Sequence, residues 1–496
     1  MVSNFSNAKA RRRRDAKEGN FKVNDKRIFS FSPLPFSLKF SAPLRLCAFA
    51  LIFLFSSIIQ AQIAVKGETV WTMAGEPITN GVVLVNNGKI EAVGAASQIK
   101  IPGNYRIISA KVVTPGLIDA HTVIGLAGYL NQPHDQMQID TSSPMQPELR
   151  AIDSYNPEEK LIEWVRGFGI TTIHTGHAPG ALISGQTMIA KTFGKTADAA
   201  AIIPTAMIAV TIGESAIVSG GRSPGTRAKQ AAMLRAELIK AVEAVRRADG
   251  TKTNQPSRTN TTNRANNNSN QSNNNDNSPN NANPNSSLKN PPTPNNQNAG
   301  NQTSTSSPPA NDLRSEMMQR VIRREIPLLV TAQRAQDIMT ALRIAKEFNI
   351  KIVLDGAAEA FLVIDEIKAA GFPVIIHPTM YRAGGEFESL SMTTASKLKA
   401  AGIVVALQSG FESYVPKTRV VLFEAGVAAA NGLSMRDALA TVTIDAARIL
   451  GLDKRIGSIE KGKDADLAMY DGDPFEYTTH CVGTMINGQI VSEVIR

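Results

Sequence analysis

Hydrophobic runs alternate with stretches of helical periodicity between residues 115 and 450. Short apolar runs without polar interruption are typical of parallel strands buried on both faces, and helices between them cover such a sheet. The pattern therefore predicts an α/β architecture. The predicted strands are 115–120, 170–175, 206–212, 327–332, 351–355, 373–377 and 403–408, with an eighth within 188–193, where an inserted hairpin is the alternative. The predicted helices are 225–247, 312–324, 335–348, 358–370 and 434–450.

Both flanks of this region show a different pattern, in which short strands are separated by turns. Residues 81–85 and 89–94 are apolar runs on either side of an Asn-Asn-Gly turn, and an Asn-Gly pair in this setting indicates a hairpin. Similar short runs return at 457–470 and 484–491. The sequence thus predicts a small β module at each end of the α/β region.

Residues 251–311 interrupt the alternation with a stretch dominated by Asn, Ser, Thr, Gln and Pro. Such a segment has too few large apolar side chains to offset the entropy lost on ordering. We therefore expect a disordered surface insert between two helices. A partner-binding or prion-like segment is the alternative.

The net charge of +10 is concentrated at the start of the chain. Residues 1–61 contain eleven Lys and Arg against three acidic residues, so +8 of the total lies there and nucleic acid is not an expected partner. The apolar run 46–59, followed by Ala61 and Gln62, predicts a signal peptide and a periplasmic or secreted protein. An uncleaved leader that anchors the protein to a membrane is the alternative. After cleavage Cys481 is the remaining cysteine, so no internal disulfide is expected.

The stretch 115–123 reads Pro-Gly-Leu-Ile-Asp-Ala-His-Thr-Val, and it resembles the first-strand signature Pro-Gly-Leu-Ile-Asp-x-His-x-His of the amidohydrolase superfamily. Residues 179–186, 224–227 and 326–338 resemble the imidazolonepropionase-like and prolidase-like branch, and Gly-Lys-Asp-Ala-Asp-Leu at 462–467 is a further match. The resemblance implies a TIM (β/α)8 barrel over 114–453. It also implies a composite β-sandwich built from 62–113 and 454–496.

Members of this superfamily hold a divalent metal, usually zinc, that activates water. The resemblance places its ligands at the paired histidines, after strands five and six, and at an aspartate after strand eight that also acts as the base. The corresponding residues here are His121, Val123, Thr331, Asp355 and Gly410. His121 and Asp355 are thus the candidate metal ligands, and glycine at the base position leaves no catalytic residue assigned. A catalytic zinc needs three protein ligands, so we expect impaired metal-dependent catalysis, with no metal or a weakly bound one.

Three other histidines follow predicted strands and could form a relocated metal site: His174, His177 and His377. Histidines near strand ends are more often hydrogen-bonded packing residues, which is the alternative. Lys191 occupies a position comparable to the carbamylated lysine of binuclear members, but a lysine lying along the surface is the favoured interpretation.

Two functions remain open on these grounds. The first is an exported hydrolase of non-peptide carbon–nitrogen bonds, as the resemblance implies. The second is an inactive binding or scaffold subunit that holds a small molecule in the barrel mouth, or that forms a homo- or hetero-oligomer with an active paralogue. The sequence does not identify the substrate, because loop shape determines it.

Overall fold

The structure is a computed structural model that describes residues 62–249, 312–376, 383–411 and 421–495. The predicted leader, the predicted insert and His377 lie outside the described residues. Among the helices in the described ranges, none is long and apolar enough to cross a membrane.

The described chain alternates strands and helices over most of its length. The strands are β1 (Ile63–Val70), β2 (Ile78–Asn86), β3 (Lys89–Ala95), β4 (Arg106–Pro115), β5 (Leu117–Thr122), β6 (Ile170–Thr175), β7 (Ile183–Gln186), β8 (Met188–Lys191), β9 (Ala201–Ile203), β10 (Ile208–Thr211), β11 (Leu328–Ala332), β12 (Ile352–Gly356), β13 (Val374–Ile376), β14 (Val405–Leu407), β15 (Leu467–Tyr470), β16 (Cys481–Ile486) and β17 (Gln489–Ser492). The helices are α1 (Ala151–Ser154), α2 (Lys160–Arg166), α3 (Ala197–Ala200), α4 (Arg227–Ala248), α5 (Leu313–Ile322), α6 (Ala335–Phe348), α7 (Ile364–Ala370), α8 (Thr394–Ala400), α9 (Val421–Ala430), α10 (Met435–Thr441) and α11 (Ile444–Ile449).

The two flanks of the chain meet in one seven-stranded sheet with the order β17-β16-β15-β4-β1-β2-β3. The join is the antiparallel pairing of β15 with β4, in which Leu467 lies opposite Pro115. The predicted Asn-Gly turn connects β2 to β3, and Asn87 and Gly88 both have positive φ. The flanks therefore form a common β module, as the resemblance implies.

The barrel strands form two hydrogen-bonded groups, because β10 to β14 are successive parallel neighbours and β5 pairs in parallel with β6. On one side the groups are linked by the bent segment β7–β8, which pairs with β10 through β7 and with β6 through β8. On the other side a single bridge joins Thr122 to Gly410. The hydrogen-bonded ladder is thus reduced to local contacts at two places around the barrel.

The eighth predicted strand is present, but its direction differs from that of a regular (β/α)8 barrel. Both β7 and β8 run antiparallel to their neighbours. The connection from β6 to β7 is only residues 176–182, and a parallel return requires a crossover of a dozen or more residues. The short connection therefore dictates the antiparallel direction.

The helix predicted over 434–450 is divided into α10 and α11. Between them, the carbonyl oxygen of Val442 accepts a hydrogen bond from the backbone N–H of Ile118, at 2.8 Å. A carbonyl committed to β5 is not available to continue the helical ladder, which explains the break. Residues Ala446 and Ala447 of α11 pack against the barrel interior.

One buried cluster contains Ile118, Leu329, Val353, Ile375 and Ala406, from five neighbouring strands, and these side chains fill the barrel interior. Side chains two residues apart on a strand share a face. The next inward positions, toward the carboxyl ends of their strands, are Thr331, Asp355 and Gln408. The fold therefore brings polar side chains together at the barrel mouth, above an apolar floor.

Candidate functional site

A cavity of about 220 Å3 opens at the carboxyl ends of the barrel strands. His121, Thr331, Asp355 and Gln408 line its inner part, and Glu386 and Phe387 line its outer part. In a barrel of this kind the carboxyl ends of the strands carry the active site. We call this space the mouth cavity.

The carboxylate of Asp355 is the centre of the polar network in the mouth cavity. Its Oδ2 accepts a hydrogen bond from the Thr331 hydroxyl at 2.6 Å, and its Oδ1 accepts one from the Gln408 amide at 2.7 Å. The Nδ1 of His121 lies 3.0 Å from the same Oδ1. Asp355 is buried, so these three neighbours provide the donors that water would otherwise supply.

His121 and Asp355 form a buried ion pair. Burial alone would lower the pKa of His121, but the charge of Asp355 and the hydrogen bond to it raise that pKa above its usual value. Burial alone would raise the pKa of Asp355, whereas the charge of His121 and the three hydrogen bonds keep it below its usual value. Both shifts favour the charged forms, and the two partners agree in direction.

The second ring nitrogen of His121, Nε2, is buried without a hydrogen-bond partner among the described residues. A buried ring nitrogen of this kind is uncommon, since buried polar atoms are normally satisfied. Because His121 lines the mouth cavity, a bound molecule or ion would be its natural partner.

Two of the other positions named by the resemblance offer no ligand atoms. Val123 packs in an apolar cluster with Ala127 and Ala178, against Phe411. Gly410 adopts φ of +64° and donates its backbone N–H to the carbonyl oxygen of His121 at 3.1 Å. This part of the mouth cavity is therefore lined by apolar side chains and backbone atoms.

His174 lies close to His121, with the ring centroids 5.6 Å apart, but its own nitrogens are occupied. Nδ1 lies 2.7 Å from the carbonyl oxygen of Ala120, and Nε2 lies 2.7 Å from the hydroxyl of Thr187. Burial lowers the pKa of His174 to about 3, so the ring is neutral. Since a carbonyl oxygen only accepts, Nδ1 carries the proton and the lone pair of Nε2 accepts from Thr187. His174 is thus a buried residue whose two ring nitrogens are both hydrogen-bonded to protein atoms.

His177 is also buried, and burial lowers its pKa. Its ring packs so closely on Gly185 that a Cβ there would come within 2.6 Å of Nε2. His177 does not line the mouth cavity. Within the described ranges, no group of three or more His, Cys, Asp or Glu side chains has the arrangement of a metal site.

Asp119 and Ser409 form a second buried polar contact, which the sequence analysis did not identify. The backbone N–H of Ser409 donates to Oδ1 of Asp119 at 3.0 Å, and the Ser409 hydroxyl donates to Oδ2. This contact ties the middle of β5 to the segment that follows β14, next to the single bridge between Thr122 and Gly410. The available signal was a carboxylate two residues before His121 on an otherwise apolar strand.

Burial raises the pKa of Asp119 to about 7, and the hydrogen bonds from Ser409 only partly oppose it. Between pH 5 and pH 7 the native protein holds a proton that the unfolded chain has lost. The free energy of unfolding therefore falls as pH rises, by about 2 kcal/mol from this group over that range. We expect this part of the pH dependence of the free energy of unfolding to be absent in Asp119→Asn.

Urea unfolding of the wild type and Asp119→Asn at pH 5, 6, 7 and 8 measures the difference. The exposed Asp198 supplies the control variant, Asp198→Asn, which should follow the wild-type curve. Parallel curves for the wild type and Asp119→Asn would contradict the assignment.

Glu386 is held over the outer part of the mouth cavity by Arg227, whose Nη2 lies 3.0 Å from Oε1. The Nε of Arg227 also donates to Asp337 on α6, at 2.9 Å from Oδ1. Arg227 begins α4, within the segment 224–227 that carries part of the family resemblance. Arg227 thus fixes Glu386 at the wall of the mouth cavity, because it binds the carboxylates of Glu386 and Asp337 at the same time.

Lys191 was predicted to lie along the surface, and this is wrong. Its ammonium group is buried, forms an ion pair with Asp466, and lies 3.4 Å from Oδ2 of Asp464. Asp464 also pairs with Lys89 at 2.6 Å and with Arg455 at 2.7 Å. The flank sheet covers this end of β8, which the local sequence around Lys191 does not reveal.

Comparison with known proteins agrees with this fold. An amidohydrolase family model matches residues 392–492. The structure of an amidohydrolase from Thermotoga maritima MSB8 is 26% identical and has a TM-score of 0.72, covering 87% of this chain and 100% of its own. No curated protein matches this sequence.

Two more distant solved structures each cover 87% of this chain. A putative prolidase from Bifidobacterium longum is 16% identical with a TM-score of 0.47, and 95% of its chain is covered. An adenosine deaminase from Xanthomonas campestris with bound zinc is 14% identical with a TM-score of 0.46, and 92% of its chain is covered. The family model and the Thermotoga structure agree with the first-strand signature, so this chain is similar in fold and in these segments to members of the amidohydrolase superfamily.

Proposed function

We propose that this protein binds a small polar molecule in the mouth cavity and that metal-dependent hydrolysis of carbon–nitrogen bonds is impaired or lost. The observation that carries the proposal is the state of Asp355. Both of its oxygens accept hydrogen bonds from protein side chains, and His121 neutralises its charge. A carboxylate satisfied in this way has little to gain from a cation.

The donor set does not fit a catalytic zinc. Such a site needs three protein ligands and an open fourth position. Among the described residues at the mouth, the unpartnered ligand atom is Nε2 of His121, which would have to lose the proton of the His121–Asp355 ion pair to bind a metal, while the side chains of Val123 and Gly410 provide no ligand atom. A polar cavity with a preorganised carboxylate, amide and hydroxyl instead suits a ligand with several hydrogen-bonding groups.

Elemental analysis of the purified protein tests this proposal, with less than about 0.1 zinc per chain expected because one free imidazole is a poor site. The repaired variant Val123→His, Thr331→His, Asp355→His, Gly410→Asp restores the family ligands and should take up zinc. His174→Ala is the matched control for a relocated ligand. One zinc per wild-type chain, with chelator-sensitive hydrolysis of a cyclic or small amide that His121→Ala abolishes, would reject the proposal.

The second candidate is a working hydrolase of non-peptide carbon–nitrogen bonds, which the resemblance to the amidohydrolase superfamily favours. The specific observation in its support is the unpartnered Nε2 of His121 at the cavity wall. The same zinc and activity measurements distinguish the two functions.

We further propose that the protein is exported and that residues 1–61 are removed. The basic segment, the apolar run 46–59 and Ala61 support this part of the proposal. N-terminal sequencing of protein from the periplasmic fraction should give Gln62 as the first residue. A start at Met1 in the membrane fraction would favour an anchor.

A further inference from the structure

A second cavity, of about 350 Å3, adjoins the mouth cavity, and Ser215 lines both. We call it the outer cavity. Its walls come from the loops around Ser142, Leu182 and Ser219. A ligand seated at the barrel mouth could therefore extend past Ser215 into the outer cavity.

Among the described residues that line the outer cavity, Arg222 is the charged one. It has no ion-pair partner among the described residues, in contrast to Arg227, which is bound to two carboxylates. The described residues of the mouth cavity show no such excess, because His121 pairs with Asp355 and Arg227 is shared between Glu386 and Asp337. Among the described residues of the two cavities, the positive charge available to a ligand is thus that of Arg222 in the outer cavity.

Hydroxyl groups surround the outer cavity. The side chains of Ser142, Ser143 and Ser223 already contact protein atoms. Those of Thr141, Ser215 and Ser219 also line the cavity. For these three hydroxyls the described residues supply no hydrogen-bond partner, which leaves them free to donate to an acceptor in the cavity.

The loop that carries Arg222 has a defined turn. It is closed by a hydrogen bond from the backbone N–H of Val218 to the carbonyl oxygen of Pro224, at 2.8 Å. Gly220 and Gly221 at its tip have φ of +74° and +77°, a conformation that glycine adopts without strain. The turn is what brings Arg222 to the cavity lined by Ser215.

From these observations we propose that the outer cavity binds the anionic group of the ligand, a carboxylate or a phosphate. Guanidinium and hydroxyl donors are the groups that recognise such oxyanions. The ligand is then an elongated molecule with a neutral polar end at the barrel mouth and an anionic end beside Arg222. This inference rests on the proposed function, since it names the class of molecule that the mouth cavity would hold.

Calorimetric titration with N-acetyl-γ-aminobutyrate, its uncharged amide and the phosphate ester of N-acetylethanolamine tests the inference. We expect both anions to bind at least about tenfold more tightly than the amide, and their relative affinities to identify carboxylate or phosphate. Arg222→Ala should remove this preference and Arg222→Lys should keep part of it. Arg246→Ala, which changes an exposed arginine on α4, is the matched control.

Three results would overturn the inference: equal binding of the amide and the anions, unchanged anion binding in Arg222→Ala, or no binding of either anion to the wild type. Zinc content and hydrolysis are measured on the same preparation. A zinc-containing, active enzyme whose anion preference depends on Arg222 would reject the proposed function and retain the outer cavity. Metal-free protein whose anion preference does not depend on Arg222 would retain the proposed function and reject the outer cavity as an anion site.

Discussion

Replacing Lys191 with alanine is expected to lower the free energy of unfolding by about 3 to 5 kcal/mol, the cost of removing one partner from a buried ion pair. The ammonium group lies between Asp464 and Asp466, all three of them buried. Asp464 would keep Lys89 and Arg455, but Asp466 would lose its cation. Its remaining oxygen accepts a hydrogen bond from the backbone N–H of Asn487, which does not neutralise the charge.

Chemical unfolding of the wild type and Lys191→Ala measures this loss. Lys195→Ala changes an exposed lysine four residues away and should have little effect. Lys191→Ala combined with Asp466→Asn should recover part of the stability, because the uncompensated charge is removed. A loss below about 1 kcal/mol in Lys191→Ala would mean that water reaches the aspartates and the pair is not effectively buried.

Asp355→Ala is the second substitution with a large predicted cost, again about 3 to 5 kcal/mol. It deprives three buried groups of their partner: the His121 imidazole, the Thr331 hydroxyl and the Gln408 amide. Each unsatisfied group adds a desolvation penalty, and the cation of His121 adds the largest. The substitution also removes the carboxylate from the wall of the mouth cavity.

A double-mutant cycle with His121→Ala isolates the ion pair. Because His121→Ala removes the cation that Asp355→Ala strands, the double variant should lose less stability than the two single losses added together. Additive losses would show that His121 and Asp355 do not interact. Asp355→Asn, which keeps one acceptor oxygen, should be less damaging than Asp355→Ala.

Local patterns were sufficient for the strand positions that build the mouth. The predicted strands at 327–332, 351–355 and 403–408 correspond to β11, β12 and β14. Alternation along those strands then places Thr331, Asp355 and Gln408 on one face. The polar composition of the site therefore follows from sequence, because a strand has a period of two and its apolar neighbours mark the buried side.

The partners of those residues did not follow from sequence. The Asp355 carboxylate meets His121, 234 positions away, and Asp119 meets Ser409, 290 positions away. Contacts of this length depend on the closure of the barrel, and no local propensity encodes them. The antiparallel direction of β7 and β8 did not follow from sequence either, because it depends on residues 176–182 forming the whole connection between β6 and β7.

Residue periodicity and the first-strand signature were thus enough to define the α/β barrel, the shared β module at its flanks and the polar identity of the mouth. Charge environment was a property of the folded state alone. Lys191 appears from its neighbours to be an ordinary surface lysine, yet the flank sheet buries it with two aspartates. Asp119 has a pKa near neutrality only because packing removes water from it. Desolvation depends on every element around a group, and these elements are brought together only when distant parts of the chain fold against each other.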